Sequence, residues 1–198
     1  MITFKNIQVD REAYIISMCT GKRVLNIGCL AANKKSGLHK KIEEVAATCI
    51  GLDIYPSDLP NYVQGDAQDF FFTETFEVIV IGEVIEHLWN LEGCIKSAYQ
   101  ALIANGNLIL TTPNAYAPVF IKRAVIGQIV KNDPEHCLLF DVTTLGNLLN
   151  NYVKNLYSGH IFFYEESEAN SISYRIQKIL AFINRGYSRG LVASLVKI

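Results

Sequence analysis

Residues 76–81, FEVIVI, form an almost unbroken apolar and β-branched run, and this run constrains the fold more than any other segment. It predicts a strand buried on both faces, the situation of a parallel sheet covered by helices. Shorter runs of the same kind stand at 24–27, 48–53, 62–65 and 107–112. Between them apolar residues recur at helical spacing: Leu38, Ile42, Val45 and Ala46 within 34–47, then Leu91, Ile95, Ala98, Tyr99 and Leu102. Asp10 is placed to cap a short helix over 10–20. Such alternation predicts an α/β chain with a doubly wound, mostly parallel sheet and helices on both faces. Past residue 113 the pattern loosens. An apolar, partly basic segment covers 116–130, a capped helix is expected at 141–151, and a further helix at 171–186 between strands at 153–164 and 191–198.

Composition narrows the functional classes. Half of the 198 residues are hydrophobic and 19% are charged, enough to fill one core, and no repeat or linker divides the chain. One domain over 1–198 is expected, regular in pattern over 1–113 and looser over 114–198. A net charge of −1 gives no general basic excess for tracking phosphates, so no nucleic-acid partner is expected. The five cysteines are scattered without a C-x-x-C spacing, so neither a zinc site nor a redox motif is expected, and no metal. Neither a secretory signal nor an apolar run of roughly 20 residues stands out, which points to a cytoplasmic protein without stable membrane insertion.

In a doubly wound sheet, ligands bind beyond the carboxyl ends of the strands. Gly28, Asp53, Asp66 and Glu83 occupy four such ends. Asp53 closes the second predicted strand 25 positions after Gly28, the place from which a carboxylate accepts hydrogen bonds from ribose hydroxyls. That pairing favours a nucleoside ligand.

In order and spacing, VLNIGCLAAN, GLDIYP, GDAQDF, FEVIVIGEVIEHLWN and LIANGNLILTTPN resemble the successive motifs of class I S-adenosylmethionine-dependent methyltransferases. EVIEHL and DPEHCLLFDVTTLGNLL are similar to elements of the small-molecule branch, which includes quinone-biosynthesis and polysaccharide-cluster enzymes. The resemblance spans about 10–150 and implies a Rossmann-like, seven-stranded sheet with an antiparallel edge strand at 191–198. It implies S-adenosylmethionine as cofactor, with Asn26 and Gly28 near the methionine part, Asp53 on the ribose, and Ile54, Asp66 and Ala67 near the adenine. Glu83, at the end of the fourth strand, would lie under the methionine end or face the acceptor. Of the histidines, His87 starts the helix after that strand and is expected to pack or hydrogen-bond near the cofactor, while His136, after the fifth strand, is the better candidate for an acceptor-side base.

The glycine loop departs from the family pattern. An acidic residue followed by alternate glycines is usual; here Asn26, Gly28, Leu30 and Ala32 stand in series. Plain structural roles compete with the functional ones: Asp66 as a turn cap, Glu83 and Glu86 favouring a helix N-terminus, His39 solvated among lysines. The segment 114–135 would be the acceptor-side lid, and within it Tyr116 and Phe120 could offer aromatic faces to the sulfonium, or simply be core. Arg175, Lys178 and Arg185 read first as a solvated face, with a membrane surface or an acidic partner as the alternative.

The leading functional reading is methyl transfer to a small-molecule hydroxyl oxygen, which needs a base more than an amine or thiol does. A non-catalytic binding or scaffolding subunit is the alternative, supported by the altered loop. A nicotinamide-dependent enzyme ranks last, because Leu30 and Asn33 stand where a dinucleotide loop would want glycines.

Overall fold

In the computed structural model, which describes residues 1–30, 37–125, 135–153, 155–166 and 172–198, the buried centre of the molecule is an eight-stranded sheet. The strands are β1 (Ile2–Asp10), β2 (Arg23–Ile27), β3 (Thr48–Asp53), β4 (Tyr62–Gln64), β5 (Phe76–Gly82), β6 (Leu102–Pro113), β7 (Tyr157–Glu165) and β8 (Gly190–Lys197). Their spatial order is β1-β7-β8-β6-β5-β2-β3-β4. The helices are α1 (Arg11–Cys19), α2 (Gly37–Val45), α3 (Leu91–Ala101), α4 (Pro118–Val125), α5 (Val142–Val153) and α6 (Ile172–Ile183).

The strongest sequence signal lies at the centre, because β5 pairs in parallel with both β2 and β6. Its side chains alternate between two cores. Ile79 and Ile81 join Leu25, Leu108, α3 and α5 on one face; Val78 and Val80 join Val24, Ile109, α1 and α2 on the other. These four residues are almost fully buried, each burial stabilising by roughly 1.5–3 kcal/mol. Caps fix where helices begin. Asp10 accepts from the Ala13 amide at 2.8 Å to start α1, and Asn90 accepts from the Gly93 amide at 2.9 Å to start α3.

The expected doubly wound, mostly parallel sheet is present, with two differences of detail. An eighth strand, β1, extends the sheet beyond β7 in parallel. It is mostly exposed, so it lacks the apolar run that marks the other strands. The antiparallel strand β8 is also not at the edge. It pairs antiparallel with β6 on one side and β7 on the other. Sheet order reverses between β2 and β5: the chain goes outward from β2 to β3 and β4, then returns to start β5 and β6. That reversal opens the crevice where doubly wound sheets bind ligands.

Candidate active site

The crevice is built from the backbone first. Gly28 follows β2 with φ +72°, a conformation that side chains resist, and its amide donates to the Leu52 carbonyl at 2.8 Å. A Cβ at Gly28 would sit 2.1 Å from Val84 Cγ2, so glycine is required by both backbone and neighbour. Val84 belongs to the turn after β5. The β2 and β5 ends therefore meet at the switch point.

Asp53 ends β3 and is 6% exposed. Its Oδ2 accepts from the Leu30 amide at 2.9 Å and its Oδ1 from the Tyr55 amide at 3.2 Å. One carboxylate thus joins the loop after β2 to the loop after β3. Ionised, it has lone pairs for about two further hydrogen bonds, as a ribose diol requires. Ile54 is largely exposed and offers an apolar surface beside it. Asp66 lies exposed beyond β4, where its Oδ1 accepts from the Gln68 amide at 2.8 Å, the turn-capping role. Ala67 packs partly buried against the core. Gln68 Oε1 then receives the Trp89 and Asn90 amides, tying this turn to the loop beyond His87.

Two expectations change on the α2 side of the sheet. His39 is not solvated; it is 1% exposed. Its Nδ1 lies 3.2 Å from Asn26 Nδ2, and Glu43 approaches Nε2 at 3.7 Å. With Nδ1 accepting from the amide, the ring proton sits on Nε2, toward Glu43. Burial lowers the imidazole pKa, opposed by Glu43, because no water solvates the charged form. Asn26 is therefore engaged inside the core, with His39 as its partner. Ala32 and Asn33 lie outside the described residues.

A second group of polar side chains gathers around the ends of β5 and β6. Glu83 has φ +58°, strained for a residue with a side chain, and its Oε1 accepts from Tyr164 Oη at 3.0 Å. Arg11, at the start of α1, donates through Nε to Thr111 Oγ1 at 3.1 Å and lies 5.7 Å from the Tyr164 ring centre. Glu86 is 2% exposed and accepts from Thr112 Oγ1 at 3.0 Å. Burial, then the neighbouring Glu83 charge, pushes its carboxyl up to about 8.

His136 reaches this cluster through the main chain. The Cys137 and Leu138 amides donate to the Glu86 carbonyl at 2.8 and 3.0 Å. That pairing sets the His87 and His136 rings edge to face, centres 4.5 Å apart. One ligand atom each from Glu86, His87 and His136 lies within 4.8 Å of the others, an arrangement able to hold a cation. Its donors, two imidazoles and a carboxylate, suit a divalent transition ion. The surroundings fit as well: His87 Nδ1 is 3.3 Å from the Glu135 carbonyl, which leaves Nε2 for a ligand, and Thr112 orients Glu86.

Sequence reasoning proposed Glu83, His87 and His136 separately but expected no metal, and it passed over Arg11, Thr111, Thr112 and Tyr164. EVIEH carries two of the three ligands in adjacent positions, and that was the available signal. Of the two residues expected to wall an acceptor pocket, Tyr116 is exposed and Phe120 half-buried, while residues 126–134 of the segment expected as a lid lie outside the described residues.

A family model described as methyltransferase domain matches residues 13–166, and the chain belongs to that family. It is an S-adenosylmethionine-dependent methyltransferase. Solved structures carry the same fold. A SAM-dependent methyltransferase from Archaeoglobus fulgidus aligns at TM-score 0.64 and 20% identity, covering 95% of this chain and 91% of that one. The N-methyltransferase NodS from Bradyrhizobium japonicum, in complex with S-adenosyl-l-homocysteine, aligns at 0.59 and 14%, covering 94% and 85%. The small RNA methyltransferase HEN1 aligns at 0.68 and 15%, covering 94% of this chain and 25% of that one. No curated protein matches the sequence significantly.

Proposed function

We propose that this enzyme methylates a hydroxyl oxygen of a small-molecule acceptor, with residues 1–113 holding the cofactor and 114–198 facing the acceptor. The observation that carries the reading is the Glu86–His87–His136 cluster beside Glu83, at the carboxyl edge of the sheet. An alcohol holds its proton tightly and needs help to lose it, which an amine or thiol needs far less. The bound cofactor supplies a methyl group on a positively charged sulfur, already a good leaving group.

In this reading Asp53 holds the ribose, Ile54 and Ala67 border the adenine, and the Gly28 turn lets the backbone approach the methionine part. Glu83 sits between cofactor and acceptor; a carboxylate accepts about four hydrogen bonds, so Tyr164 leaves it room for another partner. Glu86, His87 and His136 would hold a divalent cation, whose charge would ease the loss of the acceptor's hydroxyl proton. His136 thus stays in the acceptor-side chemistry, as a ligand rather than a free base. The five free cysteines suit a reducing compartment, and we place the work in the cytoplasm.

The sole tryptophan, Trp89, lies two residues beyond His87 and reports on the cluster without any acceptor. Titration with Mn²⁺ should change Trp89 fluorescence saturably, and His136→Ala should weaken the effect at least tenfold. Unchanged fluorescence and no calorimetric heat from folded protein would remove the cation from the account. The alternative reading, a non-catalytic binding subunit, draws on the Leu30 amide that occupies Asp53 Oδ2.

A further inference from the structure

Helix α6 is built backwards for a soluble surface. Ile176, Ile179, Phe182 and Ile183 are 55%, 60%, 89% and 74% exposed, whereas Gln177 is 5% exposed and lies 3.5 Å from Glu165. Their spacing of three, three and one puts all four apolar side chains on one stripe of the helix. Single exposed apolar residues are ordinary, but a contiguous patch marks a surface that another phase or molecule covers. Helix α4 packs beside α6 and exposes Val119 and Ile121.

Charge identifies what covers it. Residues 114–132 and 169–189 together contain seven lysines and arginines and no aspartate or glutamate. The rest of the chain contains 11 basic and 19 acidic residues. A protein of net charge −1 therefore concentrates all of its positive excess in the two segments that carry α4 and α6. On α6 itself Arg175 and Lys178 are exposed, Arg175 within the angular span of the apolar stripe and Lys178 at one edge of it, while Arg189, beyond the helix, pairs with Glu166 at 3.1 Å.

We propose that the α4–α6 face docks on the surface of a bilayer containing anionic lipid. An apolar stripe accompanied by cations is the pattern of a helix lying in the headgroup region, its apolar residues just below and its charges at the phosphates. A second copy of this chain fits poorly, because the same positive face would meet itself. RNA would neutralise the cations but leave three isoleucines and a phenylalanine without apolar cover. Among the described residues no helix is long and apolar enough to cross a membrane, so the contact is interfacial.

The position of the face gives the contact a use. Helix α4 follows the carboxyl end of β6, and α6 connects the end of β7 to the start of β8, which pairs with Pro113 at that end of β6. Both helices thus lie at the edge of the sheet that carries Asp53, Glu83 and Glu86. Docking would bring that edge to the membrane, within reach of an amphiphilic acceptor. The docking itself does not rest on the hydroxyl reading.

Sedimentation with phosphatidylcholine vesicles, made with and without phosphatidylglycerol, tests the proposal on the whole chain. We expect the protein to pellet with the anionic vesicles, to be released by salt, and to stay in solution with the neutral ones. Ile179→Glu with Phe182→Glu should weaken vesicle binding at least tenfold, while S-adenosylhomocysteine binding, measured by calorimetry, stays unchanged as proof of folding. Folded wild-type protein that ignores both vesicles overturns the proposal. So does a double variant that binds as well as wild type, a dimer that Phe182→Glu dissociates, or capture of single-stranded RNA in place of vesicles.

Discussion

The main-chain amide of Leu30 donates to Asp53 Oδ2 at 2.9 Å, so the loop that would enclose the methionine part is held by the residue that would hold the ribose. A ribose held by Asp53 would share that carboxylate with the loop. Hydrogen exchange reads the link directly. The Leu30 amide should be protected in wild type and should lose most of that protection in Asp53→Ala, with the central strand β5 unaffected. Equal protection in both proteins would show that other contacts hold the loop.

Gly28→Ala tests the junction between β2 and β5. The left-handed backbone costs a residue with Cβ about 1–2 kcal/mol, and the new methyl meets Val84. The variant should be destabilised in urea by about 2–3 kcal/mol, the clash adding to the strain. Val84→Ala in that background should return part of the loss. Additive losses in the double variant would mean that the two residues do not share the space.

Arg11 is the counter-charge for the carboxylates beside β5 and β7, lying near Glu83 and, at 3.9 Å, near Glu166. Removing one member of a partly buried charge set leaves the others uncompensated. Arg11, Glu83 and Glu166 are half-buried, so Arg11→Met should destabilise the fold by about 1–2 kcal/mol, less than breaking a fully buried pair. Glu83→Gln added to it should recover part of that loss, because it removes a carboxylate that Arg11 offset. Chemical denaturation of the two variants and their combination decides the point.

His39 gives a pH dependence of known sign. Its folded pKa lies below the ordinary 6.5, so between those values the unfolded chain binds more protons than the native one. Its contribution is therefore fully present above about pH 6.5 and is lost as pH falls below that value. Unfolding midpoints of wild type and His39→Gln, compared across this range, isolate the residue from other titrating groups. The gap between them should narrow as pH falls. A constant gap would show that His39 does not titrate differently on folding.

What the sequence disclosed, and what it withheld, follows from whether the information is local. FEVIVI and the shorter apolar runs marked β2, β3, β5 and β6, because strands buried on two faces must be apolar throughout. β1 gave no such signal: ITFKNIQVD is mostly exposed, and its pairing with β7 is written in β7's position. Asp10, Gly28 and Asp53 were readable from their places at element ends. His39 was misread because LHKK looks wet, whereas the phase of α2 turns His39 and Ile42 inward together. The ligand cluster was visible only in part. His136 stands 49 positions beyond His87, and main-chain bonds from Cys137 and Leu138 to Glu86 bring it back. No periodicity carries that pairing.

Every proposed role in the site depends on S-adenosylmethionine binding through Asp53 at the carboxyl edge of the sheet. Calorimetric titration with S-adenosylhomocysteine, on wild type and Asp53→Ala in parallel, tests it most directly. The account predicts saturable binding to wild type, weakened roughly 10- to 100-fold in the variant, as expected for hydrogen bonds to a charged acceptor worth about 1.5–3 kcal/mol. Folded wild-type protein that takes up no S-adenosylhomocysteine, or a variant that binds it equally well, would contradict the account.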